Sequence, residues 1–347
     1  MKKLLLASVA VSGLAMAAAP AHADVDLEVG GYFKGYGVFI DQDETTGTEV
    51  NEFDIIRDTE LHIGGETTLD NGLTIGAHFE FDVDQADTTV GTDESYLYFS
   101  GNWGRVNFGG EDGAGYLLQV AAPAADSNVD GIRQYVSPFV TTGGVIGGNL
   151  DYDMDPTGKA DKFTYLTPIM NGFQAGVSFS PDTDNAASFG VGVESAGIDE
   201  TYEIAVRYEG QFQQVGVIAG AGYSYGENNS TVATADDRDA WNVGLDLDIS
   251  AFGIGAIYTE DSTATDNSDV EDFVVGGDYT TGPFKLGVSY MNRDIEGGAE
   301  FDRYTGGVTY EYGPGMTFRG SIQHLAVDQT GTDGDGTAVI LGTQVNF

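Results

Sequence analysis

Leu73, Ile75, Ala77, Phe79, Phe81 and Val83 share one parity of the chain, and Thr74, Gly76, His78, Glu80, Asp82 and Asp84 take the other. Alternation with period two is the mark of a strand with one apolar face. The same division recurs over residues 202–209, 215–225, 241–249, 284–290 and 304–312. These runs reach about ten residues, longer than the ~5–6 usual in soluble sheets and suited to a tilted strand that crosses a bilayer in ~9–11. At the end of the chain Val339, Leu341, Val345 and Phe347 fall on one parity with Thr343 between them, so the pattern continues to the last residue. Helical periodicity is confined to one plausible turn within residues 115–125.

The connections alternate in length. Residues 70–72, 102–104, 170–172, 251–253, 281–283 and 314–315 form short turns rich in Gly, Asn and Pro. Residues 41–52, 85–93, 182–200, 227–239, 261–272 and 328–337 form long, acidic, polar loops. Short turns at one end and long loops at the other are the habit of membrane barrels. Sixteen strands are predicted, beginning near Leu27, Phe53, Leu73, Glu94, Arg105, Ala160, Phe173, Thr201, Gln214, Ala240, Ile254, Asp272, Phe284, Asp302, Met316 and Ala338. An even count of this size closes into an antiparallel all-β transmembrane barrel with an aqueous lumen. One connection breaks the rhythm. Between Gly110 and Lys159 no strand is evident, yet the segment holds Tyr116, Leu117, Leu118, Val120, Ile132, Tyr135, Phe139 and Val145. It is too long and too apolar for a solvated loop, and irregular backbone is not tolerated against lipid. It is therefore expected to fold into the barrel interior, with Leu117, Leu118 and Tyr135 on the wall and Asp126 and Asp130 facing the water path.

Composition sharpens this picture. Gly accounts for 51 of 347 residues and Pro for 8, with Gly placed singly inside alternating segments, where it marks bends and close packing. There is no Cys, which excludes disulfides, thiolate metal sites and cysteine nucleophiles. Residues 1–23 combine Lys2 and Lys3, an apolar run from Leu4 and a small-residue end at Ala21-His22-Ala23, the layout of a signal peptide, with a membrane-spanning helix as the alternative. The mature chain is then residues 24–347. Loss of Lys2 and Lys3 leaves 12 basic against 55 acidic residues, a formal charge of −43. Such a chain repels nucleic acid and anionic lipid surfaces at long range. Soluble proteins of saline habitats share that acidity, so charge alone does not choose the class.

The stretch SGNWGRVNFGGEDGAG (residues 100–115) resembles the turn and fifth strand that lead into the third loop of the general diffusion porins of Gram-negative outer membranes. KFTYLTPIMNGFQAGVSFS (residues 162–180) resembles a hairpin of the same family, and the terminal Phe347 its end signature, read by the barrel-assembly machinery. The resemblance implies a homotrimer of sixteen-stranded barrels in outer-membrane lipid, each narrowed by its third loop and passing small hydrophilic solutes and cations. It also implies that acidic loop residues face a basic wall. The loop offers Glu111, Asp112, Asp126 and Asp130; the wall offers Lys34, Arg303 and Arg319 at matching positions, with Arg57 unassigned between faces, rather than a dense arginine ladder. Phe347 is expected to face lipid at the seam between the last and first strands, where an unpaired edge is not tolerated.

Other chemistry is sparse. A hairpin turning at Asp70 would pair residues whose numbers sum to 140, setting His62 opposite His78 and Glu60 opposite Glu80 on the lumen side. Two imidazoles and two carboxylates are metal-ligand types, but a wet polar lumen accounts for them, and no metal is assigned. His324 is expected at the mouth or in the lumen. TGTDGDGT (residues 330–337) resembles a calcium loop, but Gly342 stands where an EF-hand needs Glu, so a hairpin loop is the better reading and loop-bound calcium the only cofactor left open. GGVIGG (residues 143–148) has no strand–helix frame for a nucleotide, and no Ser/His/Asp arrangement stands out. The expected function is passive, charge-biased diffusion through a water-filled channel, with cations favoured by Glu60, Glu66, Glu80, Asp82, Glu203, Asp246, Asp248 and Asp278 on inward parities. The alternatives are a substrate-specific channel, which would need an aromatic or basic ladder, and an exported acidic soluble β protein.

Overall fold

The structure is a computed structural model and describes residues 25–83, 90–145, 147–183, 197–232, 235–264 and 268–347. The segment read as a signal peptide lies outside the described residues, as do parts of four of the long loops. Sixteen strands follow one another: β1 (Asp26–Gln42), β2 (Phe53–Thr68), β3 (Thr74–Asp82), β4 (Gly91–Gly101), β5 (Gly104–Gly110), β6 (Asp161–Leu166), β7 (Phe173–Ser180), β8 (Ile198–Phe212), β9 (Val215–Asn228), β10 (Arg238–Ile249), β11 (Phe252–Asp261), β12 (Val270–Thr281), β13 (Phe284–Ile295), β14 (Ala299–Gly313), β15 (Met316–Gln329) and β16 (Gly334–Asn346). Each pairs antiparallel with its neighbours in sequence, and β16 pairs with β1 to close the barrel. Closure satisfies every strand edge internally, as a bilayer requires.

The alternation seen in the sequence is the wall itself. On β16, Ile340 and Ala338 are fully buried inside while Leu341 and Val339 stand outside. Cross-strand ring pairs line the outer face in two bands. Phe173–Tyr208, Phe252–Tyr279 and Phe284–Tyr310 lie near the short turns. Phe179–Tyr202, Trp241–Tyr258 and Tyr290–Tyr304 lie near the long loops. These are the aromatic girdles of a membrane-spanning barrel. His324 belongs to the loop-side band rather than the lumen: it is on the outward parity of β15, beside the Tyr304 ring.

The turns obey backbone rules. Asn171 (φ 53°) and Gly172 (φ 88°) occupy the left-handed region between β6 and β7, which those two residue types tolerate. At the same end of the barrel, Phe347 exchanges backbone hydrogen bonds with Gly31, N to O at 3.1 Å and O from N at 3.0 Å. The last residue is thus held in the seam, its side chain outward and 56% exposed.

Two details depart from expectation. The β2–β3 turn is centred on Asn71, with Leu69 N bonded to Leu73 O, so paired residue numbers sum to 142 and not 140. His62 therefore faces Glu80, Glu60 faces Asp82, and His78 faces Gly64. A shift of two leaves every side chain on its predicted face. Residues 330–337 are also less of a loop than expected, since β16 already begins at Gly334 and Asp335 exchanges contacts with Asp43.

Candidate functional site

The segment between β5 and β6 lies inside the barrel, as its apolar content requires. It forms two single-turn helices, α1 (Ala114–Leu117), where the one helical turn expected within residues 115–125 is found, and α2 (Ser127–Asp130), with non-helical chain between them. α1 rests against β6, β7, β8 and β9. Inward-facing glycines make a track for the chain that follows. A Cβ on Gly220 would lie 2.9 Å from Val120, one on Gly244 2.8 Å from the same side chain, one on Gly276 1.9 Å from the Pro123 carbonyl oxygen, and one on Gly287 2.4 Å from the Ala125 nitrogen. Close approach of loop to wall is what these glycines supply. Further along, Val136, Phe139, Val145 and Tyr152 of the loop join Val38, Ile40, Val274, Phe301, Leu325, Val327 and Ile340 of the wall in one buried apolar core.

Polar residues fasten this layer. Asp126 caps α2 through Asn128 N at 3.0 Å, accepts a hydrogen bond from Tyr36 Oη at 3.0 Å and pairs with Arg319 at 2.5 Å. Asp130 accepts from Ser289 Oγ at 2.7 Å. Each is 1% exposed. The expectation that they project into the water path is therefore corrected: carboxylates between an apolar loop and a wall offering Arg319, Tyr36 and Ser289 find their partners in the wall. Arg303, 2% exposed, donates to the Leu150 carbonyl at 3.2 Å and is likewise an anchor, not an open wall charge. Glu111 is buried and takes a short hydrogen bond from Asn107. Arg57, left unassigned by the sequence, is on the outward parity of β2, opposite Gly35.

The loop leaves one arc of wall uncovered, between two pinch points. At the first, Lys34 pairs with Asp58 at 2.8 Å while its ammonium sits over the rings of Tyr135, at 3.1 Å, and Tyr32, at 3.6 Å. Tyr135 rests on the wall as expected, one face against Lys34 and its edge toward Tyr32, while 39% of it stays exposed. At the second, Lys159 bridges Asp112 of the loop at 2.8 Å and Glu94 of β4 at 2.5 Å. Arg133 stands above α1, with its guanidinium over Tyr116 at 4.0 Å and bonds to Asp112, Asp153 and Asp155. Burial raises the Asp112 carboxyl, but Lys159 and Arg133 outweigh it and hold the group below its ordinary range.

Between the pinch points lie Glu60 and His62 of β2 and His78 and Glu80 of β3, the lumen residues expected from parity, all partly exposed. Rings continue across this arc from Tyr135 to Tyr32, His62, His78, Tyr96 and Tyr98, each centroid 5.4–6.4 Å from the next. Sequence reading overlooked this row and the roles of Asp58, Arg133 and Lys159, although the inward parity of Tyr32, Tyr96 and Tyr98 was there to be read.

Residues 7–330 match the sequence profile of the Gram-negative porins. An uncharacterised protein of Rickettsia conorii is 23% identical over 94% of this chain and 86% of its own length. Among solved structures, an anion-selective porin from Comamonas acidovorans superposes with a TM-score of 0.66 at 14% identity, covering 93% of this chain and all of that one. The OmpT loop-deletion mutant of Vibrio cholerae gives a TM-score of 0.64 at 16% identity over 93% of this chain and 99% of that chain. The closed sixteen-stranded barrel, the inward third loop and the profile match agree: the chain belongs to the Gram-negative porin family, whose members are outer-membrane diffusion channels and not enzymes.

Proposed function

We propose that this barrel passes small hydrophilic solutes and ions with a preference for cations. One observation carries the preference. In the uncovered arc Lys34, Arg133 and Lys159 are each paired with carboxylates, whereas Glu60 and Glu80 face only histidines among the ion pairs described there. Uncompensated carboxylates at a constriction concentrate cations. The likeness to an anion-selective porin, at 14% identity, bears on the fold alone. The reversal potential across a bilayer in a KCl gradient tests the reading: potassium preference is expected, and chloride preference would end it.

A substrate-specific channel is the second reading, favoured by the ring row from Tyr135 to Tyr98. It predicts saturable flux for a solute that stacks on rings, where simple diffusion predicts linear flux. Export by removal of residues 1–23 and assembly as a homotrimer complete the proposal. Phe347, fixed in the seam and outside the water path, is proposed as the signal read by the assembly machinery. Deleting it should reduce the folded, heat-modifiable form without altering the conductance of channels that do assemble.

A further inference from the structure

The corrected β2–β3 register keeps the two histidines and two glutamates together and sets His62 directly across from Glu80. Glu80 Oε1 lies 2.8 Å from His78 Nε2 and 3.7 Å from His62 Nδ1. Ligand atoms of His62, His78 and Glu80 all fall within 4.8 Å of one another. Two atoms bound to one tetrahedral metal at ~2.0–2.2 Å stand about 3.4 Å apart, so small side-chain rotations would bring the three into one coordination shell.

The surroundings are those of a ligand set and not of a solvated acidic patch. His62 Nε2 is bonded to Glu60 Oε2 at 2.9 Å. A neutral imidazole that donates from Nε2 presents its lone pair at Nδ1, the atom turned toward Glu80. A carboxylate on the far nitrogen is the arrangement that orients metal-binding histidines and raises their basicity. The two imidazoles stand edge to face with centroids 5.9 Å apart, and Tyr32 and Tyr96 flank them at 5.8 Å and 5.4 Å, which restricts ring rotation. The side chains of His62, His78 and Glu80 are 29%, 27% and 17% exposed, shielded yet open to the lumen. Asp93 adds a carboxylate near Glu60 and Glu80.

We propose that His62, His78 and Glu80 form a transition-metal site on the open arc of the channel wall, with Glu60 as the positioning residue for His62. Two imidazoles and one carboxylate suit zinc-class dications, which prefer nitrogen donors, over magnesium or calcium, which prefer oxygen. Three protein ligands leave a coordination position to water, so a bound ion is exchangeable with the lumen. Its charge offsets that of Glu60 and Glu80. If the water path follows this arc, which rests on the reading under Proposed function, a bound dication lowers cation current.

The test is calorimetric titration of the tag-free, detergent-solubilised barrel with zinc chloride in excess magnesium and calcium, which occupy the acidic surface. One zinc per chain is expected. His62→Gln with His78→Gln should abolish it. Glu60→Gln should weaken it by about 10–100-fold, as loss of an outer-shell partner does, with Glu60→Asp restoring much of the affinity. Equal binding by parent and double variant, or complete displacement by magnesium, would overturn the site. X-ray absorption of the parent at one equivalent of zinc needs no variant: two imidazole nitrogens are expected, and an oxygen-only shell would refute the assignment. Zinc bound with unchanged current would uphold the site and overturn the placement of the water path along this arc.

Discussion

The inner wall of this barrel has two arcs built on the same alternation. On the arc from β6 round to β16 and β1, inward glycines such as Gly220, Gly244, Gly276 and Gly287 alternate with apolar and polar side chains, and the third loop lies on them so closely that an apolar core forms around Val274, Leu325 and Ile340 with Asp126 and Arg303 buried beside it. On the arc of β2 to β4, inward positions are Glu60, His62, His78, Glu80 and Tyr96, partly exposed. The outward faces of both arcs are apolar alike. The difference teaches that the loop seats where wall glycines and matched polar and apolar partners receive it, and leaves open the arc whose inward side chains are histidine, tyrosine and carboxylate.

The covered arc should break most visibly at Gly276. A Cβ there would fall 1.9 Å from the Pro123 carbonyl oxygen, which is backbone and has little room to yield. Gly276→Val is expected to unseat the loop, raise single-channel conductance severalfold and lower the temperature at which the folded form is lost on gels. Parent-like conductance would mean that the loop does not depend on this wall.

Asp126→Ala comes next. It strips α2 of its cap and leaves Arg319 and Tyr36 facing a buried gap. Removing one partner of a buried ion pair costs about 3–5 kcal/mol. The barrel should survive, with the loop more open to proteolysis, while ion preference changes little because Asp126 is not in the water path. A large loss of cation preference without loss of loop protection would reverse that placement.

On the open arc, Glu60→Gln with Glu80→Gln should leave folding intact and reduce cation preference. A unit charge ~4 Å from the ion path acts with about 1 kcal/mol in a water-like medium, a change of roughly fivefold in the permeability ratio at low salt. The effect should shrink at 1 M, where the screening length is ~3 Å. An unchanged reversal potential at low salt would move the selectivity elsewhere.

Much of this was legible in the sequence, for a physical reason. Strand period and turn chemistry are local, so all sixteen strands and their faces, apart from Arg57 and His324, could be read, and Phe347 could be placed at the seam. The open arc was legible too, because His62, His78, Glu60 and Glu80 needed only parity. The slip of two in their pairing came from the turn centre, which depends on whether Asp70 or Asn71 occupies the apex. The constriction was misread because burial of Asp126 and Asp130 depends on Arg319, Tyr36 and Ser289, distant in sequence and adjacent only once the loop is seated. A signal was present: Val38-Phe39-Ile40 and Ala338-Val339-Ile340-Leu341 are apolar on both parities. A strand apolar on both faces is covered on both, which marks the wall beneath the loop.

The smallest effect distinguishes the arcs by pH. Burial pushes Asp130 up to about 6, against the hydrogen bond from Ser289 and the attraction of Arg303 and Lys285, with Asp126 adding repulsion. The ordinary value in an unfolded chain is ~3.9. The folded protein therefore holds this proton more tightly. The stabilisation is full below about pH 4 and is lost as pH rises through about 6. A shift of about two units at ~1.36 kcal/mol each bounds the loss at roughly 3 kcal/mol. Asp155, pushed up to about 7 by burial and by Asp112, acts in the same direction near the opposite end of the loop. Amide exchange over residues 111–160, corrected for the intrinsic pH dependence, should quicken between pH 5 and pH 8 while the outer strands stay protected. Asp130→Asn, neutral throughout, should flatten that rise; if the variant keeps the full slope, Asp130 is not the group that couples the seat of the loop to pH.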